Sequence, residues 1–278
     1  METSFEECDK RIHLQPSNSS SHRSPILLVH GAFAARLDFF WTAWQRWADP
    51  LWPSTFVARP AGREKVGRSF HMVPPFLVRS ERFDSPLIVI AHWLGALLAQ
   101  RLLGRTRIAA LLVLAPVPPE GTSLITPFLF ATEPSIWRAL LNFLCGRRPA
   151  FDGMVDIVFS ERMRKIEADQ HAARMVFERF GAVSEAHVPT PVGCRLVIGV
   201  PRLVVAGAKG RLISPLACIR TALFHSAEGR THDELGHFIQ AGARAQRVAQ
   251  FIVDWLEQRR LRCRRGSSAA ISLLYSPH

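Results

Sequence analysis

No apolar run in this 278-residue chain reaches the roughly 18 to 20 residues needed to cross a membrane. No signal peptide is expected either. The opening METSFEECDKRIHL carries acids where a basic start and an apolar stretch are required, so a cytoplasmic address is expected. Cysteine is sparse: Cys8, Cys145, Cys194, Cys218 and Cys263 are odd in number, scattered and without CxxC spacing. That pattern argues against a disulfide framework and a zinc site, and no metal or cofactor is expected. Lysine is scarcer still, with 4 among 35 basic residues against 31 arginines, in a chain of net charge +12. A GC-rich coding sequence explains such a skew more simply than selection for phosphate contacts. The arginines are spread along the chain, apart from QRRLRCRR at 258–265, with no recognition-helix, zinc-finger or RNP-like pattern. A solvated basic surface is expected ahead of nucleic-acid binding.

What is present is a 48% hydrophobic, 21% charged composition, that of a globular protein large enough for one domain with an insertion. Residues 1–23 are polar and read as a flexible lead-in. SPILLVHG (24–31), STFVARP (54–60), SPLIVIAH (85–92), IAALLVLAP (108–116) and PRLVVAGA (201–208) are short apolar runs, as expected of central parallel strands. Helices are predicted over 37–49, 93–104 (closing on a glycine cap at Gly104), 215–225 and 243–260. Part of a helix is predicted near 76–83. Trp41, Trp44, Trp47 and Trp255 sit at helical spacing and belong to the core. Strand–helix alternation stops at 117–198, an inserted block with helices near 134–145 and 160–180, where Trp137 is expected to pack against the main body. The prediction is an α/β fold: a doubly wound, mainly parallel sheet at 24–260, a helical cap insertion, and a loose tail at 261–278.

The stretch PLIVIAHWLGALLAQRL (86–102) has the layout of a nucleophile elbow, a buried strand turning sharply into a helix with small residues, Ala91, Gly95 and Ala96, around the bend. The apex is Trp93, and an indole cannot attack a carbonyl. A bulky residue at this strained apex implies that the turn has relaxed or that the site is plugged.

The order of segments resembles the α/β-hydrolase superfamily, in particular small esterase- and lipase-like members, over roughly 24–258. LLVHGAF resembles the oxyanion loop, AHWLGALLAQRLL the elbow, LVVAGAKGRLISP the strand carrying the acid, and LGHF the loop of the catalytic histidine. The resemblance places the nucleophile at Trp93, the acid at Gly210 and the histidine at His237, so only the histidine remains of the triad. Backbone donors for an oxyanion would come from Leu94 and from Ala32 or Phe33 after His30-Gly31. His30 and His92 more often brace such loops than react. Glu120, after LAPVPP, is a second place from which an acid could reach His237. The resemblance also implies that Trp93→Ser together with Gly210→Asp restores esterase activity.

Three functional readings follow. The first is a hydrolase-like protein that has lost its serine chemistry and serves in binding, with a small apolar or ester-like ligand, or persists as a decaying copy. The second is an active enzyme of the same fold that uses His237 as a base on the substrate itself, in lyase or cofactor-free oxygenase chemistry. The third is a basic nucleic-acid binder, and a salt-dependent affinity for DNA would support it. Oligomeric state has no signal in the sequence.

Overall fold

The computed structural model describes residues 24, 26–29, 31, 54–57, 86–104, 106–119, 165–173, 192, 199–241 and 244–259, with single positions between 131 and 145. The helices predicted over 37–49 and near 76–83, the lead-in 1–23 and the tail after 260 lie outside the described residues. So do His30, Ala32, Phe33 and Glu120.

Six strands form one sheet: β1 (Ile26–Val29), β2 (Ser54–Val57), β3 (Leu87–His92), β4 (Ile108–Leu114), β5 (Arg202–Gly207) and β6 (Glu228–His232). Their order is β2-β1-β3-β4-β5-β6, and every neighbouring pair is parallel. Four helices complete the described elements: α1 (Trp93–Gln100), α2 (Lys165–Ala173), α3 (Pro215–Phe224) and α4 (Ala245–Gln258). Of these, α2 falls in the predicted insertion.

Because side chains alternate across a strand, each apolar run splits into two sets. Ile26, Leu28, Ile88, Ile90, Leu112, Leu203 and Val205 face one way and pack under α4 with Phe238 and Ile239. Leu27, Val29, Val89, Ala91, Leu111, Val113 and Val204 face the other way, against α1 and α3. Burial on both faces is why these strands read as unbroken apolar runs. Helix α1 is buried on every side, whereas α4 buries only the stripe through Val248, Ile252, Val253, Trp255 and Leu256.

Three predictions need correction. Helix α1 ends at Gln100, not 104, because Arg101, Leu102 and Leu103 donate to Leu98, Ala99 and Gln100 in tight three-residue turns. Gly104 does take a positive φ of 74°, but well after the helix has closed. Strand β6, EGRTH, was not foreseen: it is the sheet's edge, largely exposed, and lacks the apolar signal of the inner strands. Trp137 is 49% exposed instead of packed away.

Candidate functional site

In a parallel sheet all carboxyl ends lie along one edge, where such folds gather their ligand-facing loops. At that edge β3 runs through His92, extended at φ −119°, and reverses at Trp93, φ 49°. A left-handed conformation at a bulky residue costs of order 1–3 kcal/mol, so the surroundings must hold it. The apex carbonyl accepts a hydrogen bond from the Val117 amide (3.2 Å), and the Val117 carbonyl accepts from Gln100 Nε2 (2.9 Å). Gln100 Oε1 in turn accepts from His225 Nε2 (2.8 Å), and the His225 carbonyl accepts from the Arg202 guanidinium. The turn has not relaxed. It is the sharp bend of an elbow, with a tryptophan on it.

Gly31, after β1, is packed against this bend. A Cβ there would lie 2.9 Å from His92 Nδ1 and 3.1 Å from Trp93 Cβ, so only glycine permits the approach. Trp93 is 8% exposed, and its indole meets the His237 ring edge-on, with centroids 5.1 Å apart. Leu94 is buried directly behind the apex. The sequence-predicted Trp93, His237, Gly31 and Leu94 are thus brought together.

His237 is fully buried between Trp93, His92 (4.9 Å) and Phe238 (5.5 Å). Its carbonyl accepts a hydrogen bond from His92 Nε2 at 3.1 Å. His92 therefore braces the histidine loop, the role expected of it. Burial, reinforced by the neighbouring His92, holds His237 well below the ordinary histidine range, and the ring is neutral at physiological pH. Among the described residues neither of its ring nitrogens has a hydrogen-bond partner.

The position expected of the acid, Gly210, lies beside the same loop. Ala208 and Lys209 donate their amides to the carbonyls of His232 and Leu235, each at 2.9 Å. Gly210, where the resemblance places the acid, has no room for a side chain. A Cβ on it would stand 2.6 Å from the Ile213 carbonyl oxygen and 3.0 Å from that of Gly207. Backbone has closed over the space an aspartate needs. This geometry weighs against the expected rescue by Trp93→Ser with Gly210→Asp.

Gln100, His225 and Val117 were missed as supports of the elbow. A glutamine inside the apolar run LGALLAQRLL was the available signal, since a buried amide must find partners. Gln100→Leu strands a buried carbonyl and a buried imidazole N–H. It is expected to cost at least about 1–3 kcal/mol in urea unfolding.

Among the described residues, no group of three or more His, Cys, Asp or Glu is placed to hold a metal ion, and no helix is long and apolar enough to cross a membrane.

No protein-family model and no curated protein matches the sequence. Solved structures do match the fold. A thermophilic esterase from Thermogutta terrifontis superposes with TM-score 0.60 at 17% identity, over 86% of this chain and 91% of that one. The enol-lactonase from Burkholderia xenovorans LB400 gives TM-score 0.60 at 14% identity, over 84% and 92%. An alpha/beta hydrolase enzyme from the metagenome of sediments of the Mar Chica lagoon, Morocco, gives TM-score 0.53 at 12% identity, over 86% and 93%. The chain has the α/β-hydrolase fold. In that fold the strand–helix bend presents the nucleophile to a histidine from a late loop. In this α/β-hydrolase fold the bend presents an indole to His237.

Proposed function

We propose that this chain is a serine-hydrolase-like protein without hydrolase chemistry, acting by binding a small apolar or ester-like ligand, with the helical insertion at 117–198 as its cap. One observation carries the proposal: the Trp93 indole occupies the elbow apex and meets His237 edge-on, where an attacking oxygen and its proton acceptor would have to meet. The closure of backbone over Gly210 supports it, because no carboxylate stands there to orient the imidazole. The reading calls for no metal, cofactor or nucleic acid, and a cytoplasmic setting suits it. The purified protein is expected not to hydrolyse short-chain aryl esters above background and not to react with a fluorophosphonate probe. Stoichiometric labelling that survives Trp93→Ala would place a nucleophile elsewhere and sink the proposal.

A second reading draws on the neutral His237 ring, whose nitrogens lack described partners. A neutral imidazole has a lone pair free to accept a proton, and His237 would take one directly from the substrate, with Glu120 as the orienting acid whose charge raises the ring's basicity. The two readings part on one measurement. Proton–deuterium exchange into carbon acids that is abolished by His237→Ala supports the base, and its absence across a panel supports binding alone.

A further inference from the structure

Strand β6 ends the described sheet, beyond β5. The His232 carbonyl accepts the Ala208 amide at 2.9 Å. In a parallel ladder that bond fixes the alternation along the strand. Glu228, Arg230 and His232 turn their N–H and C=O groups to β5, and Gly229 and Thr231 turn theirs away from it. Gly229, Arg230 and Thr231 are all exposed. Such an edge is a template for another strand, and proteins blunt it with a proline or with charge. Strand β6 has no proline, and its charge is balanced: Arg230 pairs with Glu228, two residues earlier, at 2.7 Å. Glu228 is itself held from α4. Trp255 Nε1 (2.8 Å) and Arg259 both donate to its Oε2, which turns Oε1 to the arginine.

We infer that β6 pairs with β6 of a second copy, antiparallel about a two-fold axis, in a register centred on Gly229. The charges select both the partner and the register. Centring the pair on Glu228 sets that carboxylate against itself, and centring it on Arg230 does the same to the guanidinium. Centring it on Thr231 opposes Glu228 to Glu234. Of these four registers, only the one centred on Gly229 opposes Glu228 to Arg230, once on each side of the axis. Opposite charges facing each other across two strands stabilise the pair, and the two-fold makes the match self-complementary. The two Gly229 residues exchange their outward N–H and C=O groups at the axis. The two six-stranded sheets become one. Because the strands run oppositely, the His237 sites of the two copies open at opposite ends of the joined sheet.

Sedimentation equilibrium of the full-length protein is expected to give the mass of two copies, twice 31.2 kDa, falling on dilution. Thr231→Pro should raise the dissociation constant about tenfold or more. The Thr231 amide points away from β5, so the proline leaves the chain's own ladder whole while its ring obstructs an incoming strand. Arg230→Glu should also weaken the dimer, by setting acid against Glu228, and Arg230→Lys should largely preserve it.

Cross-linking reads the register. In full-length protein carrying Cys145→Ser to remove an exposed thiol, Gly229→Cys and Thr231→Cys are compared under mild oxidation. Bridges are mapped by peptide mass spectrometry. A Cβ at Gly229 would lie 3.5 Å from Ala222 Cβ, an ordinary contact, so the first substitution is accommodated. Residues facing each other in a hydrogen-bonded antiparallel pair have Cα atoms about 5.5 Å apart, within the span of a disulfide. In the same register the two Thr231 positions stand about 13 Å apart along the strands, beyond that span. Position 229 is therefore expected to bridge to itself between chains about tenfold or more over position 231. A protein that stays single up to its highest soluble concentration overturns the inference. So does a dimer indifferent to Thr231→Pro, or a bridge that forms as readily at 231 as at 229. If Thr231→Pro fails to fold, the two cysteine variants decide between the same outcomes.

Discussion

Replacing Trp93 by alanine is expected to cost about 3–5 kcal/mol, because a buried indole is removed and its neighbours refill the space only partly. Trp93→Gly removes at least as much volume, yet it should be no less stable than the alanine variant. At an ordinary helical position glycine is worse than alanine by roughly 1 kcal/mol. At Trp93 the backbone sits at φ 49°, where alanine keeps a strain of order 1–3 kcal/mol and glycine has almost none. Urea midpoints of the two variants decide the matter. A glycine variant clearly below alanine would show that the left-handed apex is not retained once the indole is gone. Trp93→Ser should be inactive on esters. Adding Gly210→Asp should reduce stability further instead of bringing activity back, since its Cβ would meet backbone 2.6 Å away. Esterase activity from that pair, dependent on His237, would mean the loop yields more readily than its hydrogen bonds to the histidine segment imply.

Acid should destabilise the protein well before its carboxylates are protonated. His225 is held down to about 4 by burial and then by Arg202, and His237 lies well below its ordinary value through burial and then His92. Burial lowers His232 as well, with Asp233 opposing. In the unfolded chain these histidines take up protons near pH 6.5; in the native state they do not. Their contribution is therefore complete above about pH 6.5 and falls as pH drops toward the native values. The loss is about 1.4 kcal/mol per pH unit for each strongly depressed histidine. Between pH 7 and pH 5, His225 alone should remove about 2 kcal/mol, and His237 adds to the loss in the same direction. Urea unfolding at the two pH values measures the loss, and His237→Phe should make it smaller. A His237 ring resonance that titrates near pH 6.5 would refute the assignment.

The inner strands were legible because burial on both faces leaves a continuous apolar record, as in ILLV and LIVIAH. The elbow was legible from Ala91, Gly95 and Ala96. Edge strand β6 left no such record, since its half-exposed residues answer to neighbours and solvent instead of to a core. At Trp93 the expectation that a bulky side chain might relax the bend weighed local cost alone. The hydrogen-bond chain from Val117 through Gln100 to His225 outweighs that cost, and its members are distant in sequence. At Gly210 the sequence could register a missing carboxylate. It could not register that backbone from Ile213 and Gly207 has occupied the space, because that is a fact of loop shape.

The strand order also governs how the molecule is made. Ile26 must find Ile88, and Leu111 must find Arg202, before either pair gains anything. Parallel pairings of such long sequence separation require large loops to close first, which places folding toward the slow end for domains of this size. During synthesis β1 emerges long before β3, and its four apolar residues wait without a sheet to join. The central strand that carries the elbow is thus also the template on which the N-terminal strands assemble. A lesion in β3 would reach the protein first as slow, aggregation-prone maturation.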